Sequence, residues 1–293
     1  MRSSYIKPLK KYFYIFTIAL IALGSCDDTP TVVIPETSKS TENSLLAISE
    51  IISTFDVVED FVSSSQLFLK RDEALMPADA EITILDGEFK DGDGMEAVID
   101  FGAKGLEPYG LLCKDNKYRA GKIYISLDKP YSEIDAKLTL RFDKEEPFFS
   151  GDGTQMSEIV GSVHVKRISN EELLLHCGEL TVATEDKGDV SIVANLSVQL
   201  VEDKGVGLVN DKLSFDGVLE VESLEEELTF NIIEPLQKDY ALSCAQYIKE
   251  GRIDVEPMNS ASEISIDFDP NNNTACDKMV GITVNGRTFI YEY

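Results

Sequence analysis

The sequence contains no tryptophan and only two histidines in 293 residues, so few side chains are suited to catalysis. His164 and His176 are the only imidazole bases, and the sequence has no Gly-x-Ser-x-Gly motif. Cys177 follows His176, but adjacent residues of a strand point to opposite faces, so these two side chains should not form a catalytic pair. These absences argue against a serine hydrolase or a cysteine protease, and we interpret the chain as non-enzymatic.

Basic residues are also scarce. The chain has 27 Lys and Arg against 53 Asp and Glu, which gives a formal net charge of −26. A surface this acidic repels phosphate, so nucleic acid is excluded as a partner. A content of 43% hydrophobic and 27% charged residues is typical of a folded globular chain rather than a disordered one.

The N-terminus carries the pattern of a secretory signal peptide over residues 1–25. Four basic residues precede an uncharged, mostly apolar stretch, Tyr12–Leu23, which is too short to span a bilayer comfortably. Small residues follow that stretch, as they do before a cleavage site.

Leu23-Gly24-Ser25-Cys26 resembles the lipobox of bacterial lipoproteins. The resemblance implies cleavage before Cys26, lipidation of Cys26, and a stable membrane anchor for the mature chain. The acidic pair Asp27-Asp28 resembles the surface-export signal of Bacteroidota lipoproteins, which implies a surface-exposed outer-membrane protein, with a periplasm-facing orientation as the alternative. Residues 26–43 are rich in Thr, Ser and Pro, and we interpret them as a flexible tether.

Residues 44–75 are predicted to form an amphipathic helix and a connector. Apolar side chains recur at helical spacing from Leu45 to Val62, and Asn43 or Ser44 could cap the first turn. The apolar stripe is expected to pack against a sheet rather than to bind a partner.

Residues 76–293 alternate apolar and polar side chains, as Val190–Leu200 does, with Asp-Gly, Lys-Gly and Asn-Gly pairs between the runs. This pattern predicts a mainly-β fold of antiparallel, sandwich- or barrel-like sheets in one continuous domain.

Two parts of this region are similar to uncharacterised all-β Bacteroidota lipoproteins. They contain IDFG, a cysteine and YRAGKIYI in the first part, and CAQYIKEGRIDV with IDFDPNNNTACDKMVGITVNG in the second. Asp269–Asn273 replaces the glycine-bearing loop of that group. The resemblance implies an all-β surface lipoprotein and implies no activity.

The two histidines could lie side by side. A three-residue hairpin centred on Asn170 would place His164 opposite His176, with Cβ atoms about 5 Å apart. Such a pair could bind a transition metal or haem. The alternative is two half-exposed strand histidines without a ligand. We predict this alternative, in which the pair binds neither a metal nor haem tightly.

One loop alternates oxygen-bearing side chains at Asp267, Asp269, Asn271 and Asn273, like the opening of an EF-hand. The twelfth position is Lys278 rather than Glu, so a turn built on Asx side chains is favoured over a weak structural calcium site. No other cofactor is expected.

Four cysteines remain after lipidation, an even number for an oxidising compartment. A hairpin turning near Asn259 would bring Cys244 and Cys276 within disulfide distance, and we predict that they pair. Cys113 and Cys177 are expected to be buried thiols. The rival interpretation is that all four cysteines are free.

The sequence therefore favours a membrane-anchored surface lipoprotein that acts as a binding, adhesion or structural module for an undetermined protein or glycan. The alternatives are a carrier of haem, metal or lipid, and a carboxylate-based hydrolase. An internal apolar cavity would support the carrier, and two carboxylates at hydrolytic separation would support the hydrolase. A solid core with a polar exterior would support the module.

Overall fold

The structure is a computed structural model that describes residues 36–63, 75–77, 79–87, 89, 92–185, 187–203, 208–223 and 226–292. The predicted signal peptide, Cys26 and the first part of the predicted tether lie outside these residues. Within the described ranges, no helix is both long and apolar enough to cross a membrane.

One helix precedes sixteen strands in the described part of the chain. The elements are α1 (Glu36–Ser63), β1 (Glu81–Asp86), β2 (Met95–Asp100), β3 (Leu111–Leu112), β4 (Tyr118–Ala120), β5 (Lys122–Leu127), β6 (Lys137–Phe142), β7 (Phe148–Gly151), β8 (Met156–Arg167), β9 (Glu172–Thr184), β10 (Gly188–Glu202), β11 (Lys212–Ser223), β12 (Glu227–Asp239), β13 (Glu250–Pro257), β14 (Ile264–Asp267), β15 (Met279–Val284) and β16 (Arg287–Glu292).

The predicted mainly-β antiparallel fold with one N-terminal helix is confirmed. All sixteen strands belong to a single sheet, which does not close into a barrel. Thirteen strands follow one another along the main path, and β3, β4 and β7 form a side branch attached through β8. The predicted alternation is visible in β10, where Ile192, Leu196 and Val198 are buried and Asn195 is exposed. The apolar side of this sheet supplies most of the core.

The helix α1 is buried by the sheet and its loops from Ala47 to Val62. Every side chain from Ala47 to Val62 is buried, although an amphipathic helix on a flat sheet would leave its polar face in water. Phe55 packs edge-on against Phe215 of β11, with ring centroids 6.2 Å apart. Other α1 side chains bond to residues of β4, β7 and β12, so the sheet curls around the helix.

The helix begins at Glu36, so residues 36–43 are helical and the predicted tether boundary at residue 43 is wrong. The predicted caps are also wrong. Ser44 Oγ donates to the Ser40 carbonyl at 2.7 Å within the helix, and Asn43 Nδ2 donates to the Lys187 carbonyl at 3.3 Å. Serine and threonine are poor helix formers in isolation, but the burial of Ser40 and Thr41 in the folded protein overrides that preference.

Candidate functional site: a polar cleft and the buried charges beneath it

Four carboxylates of α1 lie inside the protein, at Glu50, Asp56, Glu59 and Asp60. We call these four residues and their bonding partners the charge array. Each carboxylate is held by a different part of the sheet or its loops, as the next paragraphs describe. Removing one partner from such a buried pair typically costs about 3–5 kcal/mol, because the other charge is left uncompensated.

Asp56 is bound by two residues of the β12 segment. Lys238 Nζ lies 2.5 Å from one carboxylate oxygen, and the Tyr240 hydroxyl donates to the other. Both Asp56 and Lys238 side chains are only 2% exposed. Burial raises the pKa of Asp56, while Lys238 and Tyr240 oppose that rise by favouring the ionised form.

Glu59 accepts a hydrogen bond from the Tyr131 hydroxyl, and Arg167 Nη2 lies 3.7 Å from its other oxygen. The Arg167 guanidinium stacks over the Tyr131 ring at 4.4 Å and donates to the Tyr131 carbonyl at 2.6 Å. Burial raises the pKa of Glu59 to about 7, against the opposing effects of Tyr131 and Arg167.

Asp60 uses both oxygens to anchor backbone from elsewhere in the chain. The N–H of Leu75 donates to it at 2.6 Å, and the N–H of Leu208 donates at 2.8 Å. Burial raises the pKa of this carboxyl, and the two backbone donors oppose the rise.

Arg119 forms a second buried ion pair against the same helix. Its Nη1 and Nη2 donate to the two carboxylate oxygens of Asp115 at 2.8 and 2.6 Å. Nη2 also donates to the Ser53 hydroxyl at 2.7 Å. Burial alone would raise the pKa of Asp115, but Arg119 outweighs burial and lowers it. Both charges are therefore retained in the interior.

Glu50 links the charge array to a surface cleft. Lys117 Nζ lies 2.5 Å from one oxygen of Glu50, and the Ser150 hydroxyl donates to the other at 2.6 Å. Glu50 is almost fully buried, whereas Lys117 is 16% exposed. Glu50 thus forms part of the inner wall of the cleft.

The cleft has a volume of about 380 Å³ and lies beside the N-terminal half of α1. Three separate parts of the chain line it: α1, the turns at β3–β4, β7–β8 and β9–β10, and the C-terminal segment. The lining residues are Glu42, Leu46, Ser49, Glu50, Asn116, Lys117, Gly151, Asp152, Gln155, Ser157, Thr184, Lys187, Gln246, Tyr247, Lys278 and Glu292.

A disulfide holds the C-terminal wall of the cleft. The predicted pairing of Cys244 with Cys276 is present in the structure, with Cα atoms 5.0 Å apart. Gln246 and Tyr247 follow the first cysteine closely, and Lys278 follows the second. The bond therefore ties together two loops that both contribute to the cleft.

Two ion pairs lie among the charged groups that line the cleft. Besides Lys117 and Glu50, Lys278 Nζ lies 2.8 Å from Glu292. The hydroxyls of Ser157 and Thr184, which face each other across β8 and β9, bond at 2.7 Å. Such a lining is equipped to hold a polar ligand by hydrogen bonds.

The predicted register of the two histidines is confirmed. His164 lies directly opposite His176, with ring centroids 6.5 Å apart and planes tilted by 23°. Both rings lie on the exposed face of the sheet, where they stack on each other. The ring nitrogens of His164 bond to Thr139 and Ser162, and Nδ1 of His176 bonds to Asn195. In the described ranges, no group of three or more His, Cys, Asp and Glu is placed to hold a metal ion.

The histidines belong to a longer surface feature that we call the polar row. It crosses the outer face of the sheet along the thirteen strands of the main path, with each member directly opposite the next and none of them buried. Its members are Asp86, Glu96, Ser126, Thr139, His164, His176, Asn195, Val218, Asn231, Asp254, Ser265, Thr283 and Thr288. The side chains are mostly short and hydrogen-bonding, as expected for a solvated sheet face.

The predicted calcium-like loop forms a turn through its own side chains. Both carboxylate oxygens of Asp269 accept backbone N–H groups, from Asn273 and Thr274 at 2.9 Å each. Asp267 accepts the N–H of Asp269 at 2.9 Å. These are the contacts of the Asx-based turn that was the favoured interpretation of the sequence.

Cys113 and Cys177 are free and buried. Burial raises the pKa of each thiol to about 11, which makes the reactive thiolate rare at neutral pH.

Comparison with protein-family models, curated proteins and solved structures gave no match for this chain. The cleft is therefore interpreted from its own residues.

Proposed function

We propose that the chain is a membrane-anchored lipoprotein of the cell surface that acts as a non-enzymatic binding module, with the cleft as its ligand site. The observation that carries this proposal is the cleft itself, which three distant parts of the chain build beside a buried helix. Its polar lining and its volume, at the lower end of the range for small-molecule sites, suit a small polar ligand.

The position of α1 favours a module over a carrier of haem or lipid. The inner side of the curled sheet, where a carrier would hold an apolar ligand, is filled by α1 and its buried side chains. The outer face carries the polar row. A filled core with a polar exterior is the arrangement that distinguishes a binding or structural module.

The anchor and the location are supported by the sequence. Leu23–Cys26 has the lipobox order, and Asp27-Asp28 has the character of a surface-export signal. The Cys244–Cys276 pair is in keeping with an oxidising, non-cytosolic compartment.

Two experiments on cells test the anchor and the location. Radiolabelled palmitate should enter the wild type and not Cys26→Ala, and equal labelling of both would contradict lipidation. Protease added to intact cells should degrade the protein. Protection until the outer membrane is broken would place it in the periplasm.

A stability screen tests the binding function. Residues 27–293 would be mixed with a panel of sugars, amino acids, organic acids and polyamines, and thermal unfolding would be followed for each. At least one compound should raise Tm in the wild type and not in Gln246→Ala, since ligand binding stabilises the folded state. Thr288→Ala, in the polar row, is the matched control and should respond like the wild type. A panel without effect on the wild type would contradict the cleft as a ligand site.

A further inference from the structure

The chemistry of the cleft restricts the class of ligand. Its lining includes three lysines and four carboxylates, a near balance in a chain whose net charge is −26. Two of the lysines are already neutralised, Lys117 by Glu50 and Lys278 by Glu292. The cleft is therefore close to neutral although the molecule around it is strongly acidic.

The remaining lining groups are mainly uncharged hydrogen-bonding groups. They include three side-chain amides, three aliphatic hydroxyls and one phenol, and Leu46 is the only aliphatic side chain among the lining residues. Amides and hydroxyls both donate and accept, so they match a ligand whose groups do the same. Tyr247 adds the single aromatic ring of the lining, on which a flat apolar ligand surface could pack.

A charged ligand would meet an energetic obstacle at the largely buried ion pair of this cleft. An anion would have to compete with Glu50 for Lys117, and a cation with Lys117 for Glu50, and breaking the pair leaves one charge uncompensated. The other charged lining groups are of mixed sign, so a ligand of either charge would meet repulsion as well as attraction there; they are Lys187, Lys278, Glu42, Asp152 and Glu292. Neutral hydroxyls can instead bond to the outward lone pairs and N–H groups of an intact ion pair, and charge-assisted hydrogen bonds of this kind are strong.

We infer that the cleft binds a neutral saccharide of one or two rings. The inference rests on the proposed function, because it names the ligand class of the same site. A saccharide supplies dense hydroxyls for the amides and ion pairs, and one C–H face for Tyr247. The volume of about 380 Å³ accommodates a ligand of that size and excludes a long chain from full enclosure.

Isothermal titration tests the inference with matched neutral and charged sugars. Galactose, glucose, mannose, N-acetylglucosamine and their common disaccharides would each be compared with the corresponding uronate and amino sugar. At least one neutral sugar should bind, and its charged analogue should bind about tenfold or more weakly. The affinity should change little between low and high salt, because screening acts on charged partners.

Variants locate the binding. Tyr247→Ala should weaken the neutral sugar about tenfold, and Tyr247→Phe should keep the affinity within about threefold because the ring is retained. Thr288→Ala should bind like the wild type. Unchanged thermal unfolding of each variant without sugar would show that the fold is intact.

Several outcomes would overturn the inference. The ligand class is wrong if a charged analogue binds more tightly than the neutral sugar. It is also wrong if only a non-sugar compound binds and Gln246→Ala abolishes that binding. In both cases the proposed binding function of the cleft is still supported. Sugar binding that persists in Gln246→Ala and Tyr247→Ala would lie outside the cleft and would also overturn the inference. If no compound of either panel binds, both the ligand class and the proposed binding function fail.

Discussion

Glu59 should make the protein less stable as the pH rises from mildly acidic to neutral. Its side chain is enclosed between α1 and the sheet, where Tyr131 donates to it and Arg167 lies 3.7 Å away. Burial raises its pKa from 4.5 to about 7, even though both neighbours favour the ionised form. The folded state therefore holds a proton that the unfolded chain releases at lower pH.

The sign and size of the effect follow from linkage. Below pH 4.5 the carboxyl is protonated in both states, and well above pH 7 it is ionised in both. Between these values the folded state binds more protons than the unfolded state, so the free energy of unfolding decreases as the pH rises. A pKa shift from 4.5 to about 7 corresponds to a loss of roughly 3 kcal/mol, at about 1.4 kcal/mol per pKa unit.

Glu59→Gln isolates this contribution. Glutamine is neutral at every pH and its carbonyl can still accept the Tyr131 hydrogen bond. Urea unfolding of residues 27–293 would give the free energy of unfolding of both proteins across the pH range. The value for the variant minus that for the wild type should rise by roughly 3 kcal/mol between pH 4.5 and pH 8.

Glu220→Gln is the matched control, because Glu220 is exposed on the outer face of β11. Its difference from the wild type should stay flat over the same range. Asp56 and Asp60 also have raised pKa values, but they are present in both proteins and largely cancel in the difference. A Glu59→Gln difference that stays within about 1 kcal/mol, or that falls with pH, would refute the reasoning that burial outweighs Tyr131 and Arg167.

Three further predictions concern the cysteines and the histidine pair. Non-reducing peptide mapping should recover Cys244 linked to Cys276, and alkylation of both without prior reduction would contradict the bond. Cys113 and Cys177 should react with iodoacetamide only when the protein unfolds, because both are buried with a pKa of about 11; rapid labelling of the native protein would be the contrary result. Zinc titration should show no tight binding, and micromolar affinity that His164→Ala abolishes would show that the stacked pair is a metal site.

Local patterns in the sequence predicted the sheet and several of its details. The alternation of apolar and polar side chains depends only on neighbouring residues, so it was enough to predict the strands. A short hairpin centred on Asn170 was enough to predict that His164 lies opposite His176. The same reasoning about a hairpin near Asn259 predicted that Cys244 and Cys276 would be close. Each of these depends on turn geometry between segments that are near in sequence.

The enclosure of α1 could not be predicted in that way, because it depends on how far the sheet curls. One signal was present: Lys238 falls on the same face of β12 as Leu236 and Tyr240, where an apolar residue is expected. A charged residue in an inward position indicates a buried partner of opposite charge. Identifying Asp56 as that partner required contacts across 182 residues of sequence.

The cleft was missed for a related reason, since its walls come from three parts of the chain that only the folded sheet brings together. Glu50 belongs both to the charge array and to the cleft, so the position of α1 decides whether the cleft exists. An all-apolar helix could rotate or slide along an apolar groove at little cost, whereas each buried carboxylate of α1 is satisfied in one position only. The bonds of Asp56 and Asp60 therefore fix the position of α1 along the sheet. In that position Glu50 lies next to Lys117 and Ser150. On this argument the polar face of α1 positions the cleft, even though an apolar face could give the fold equal stability.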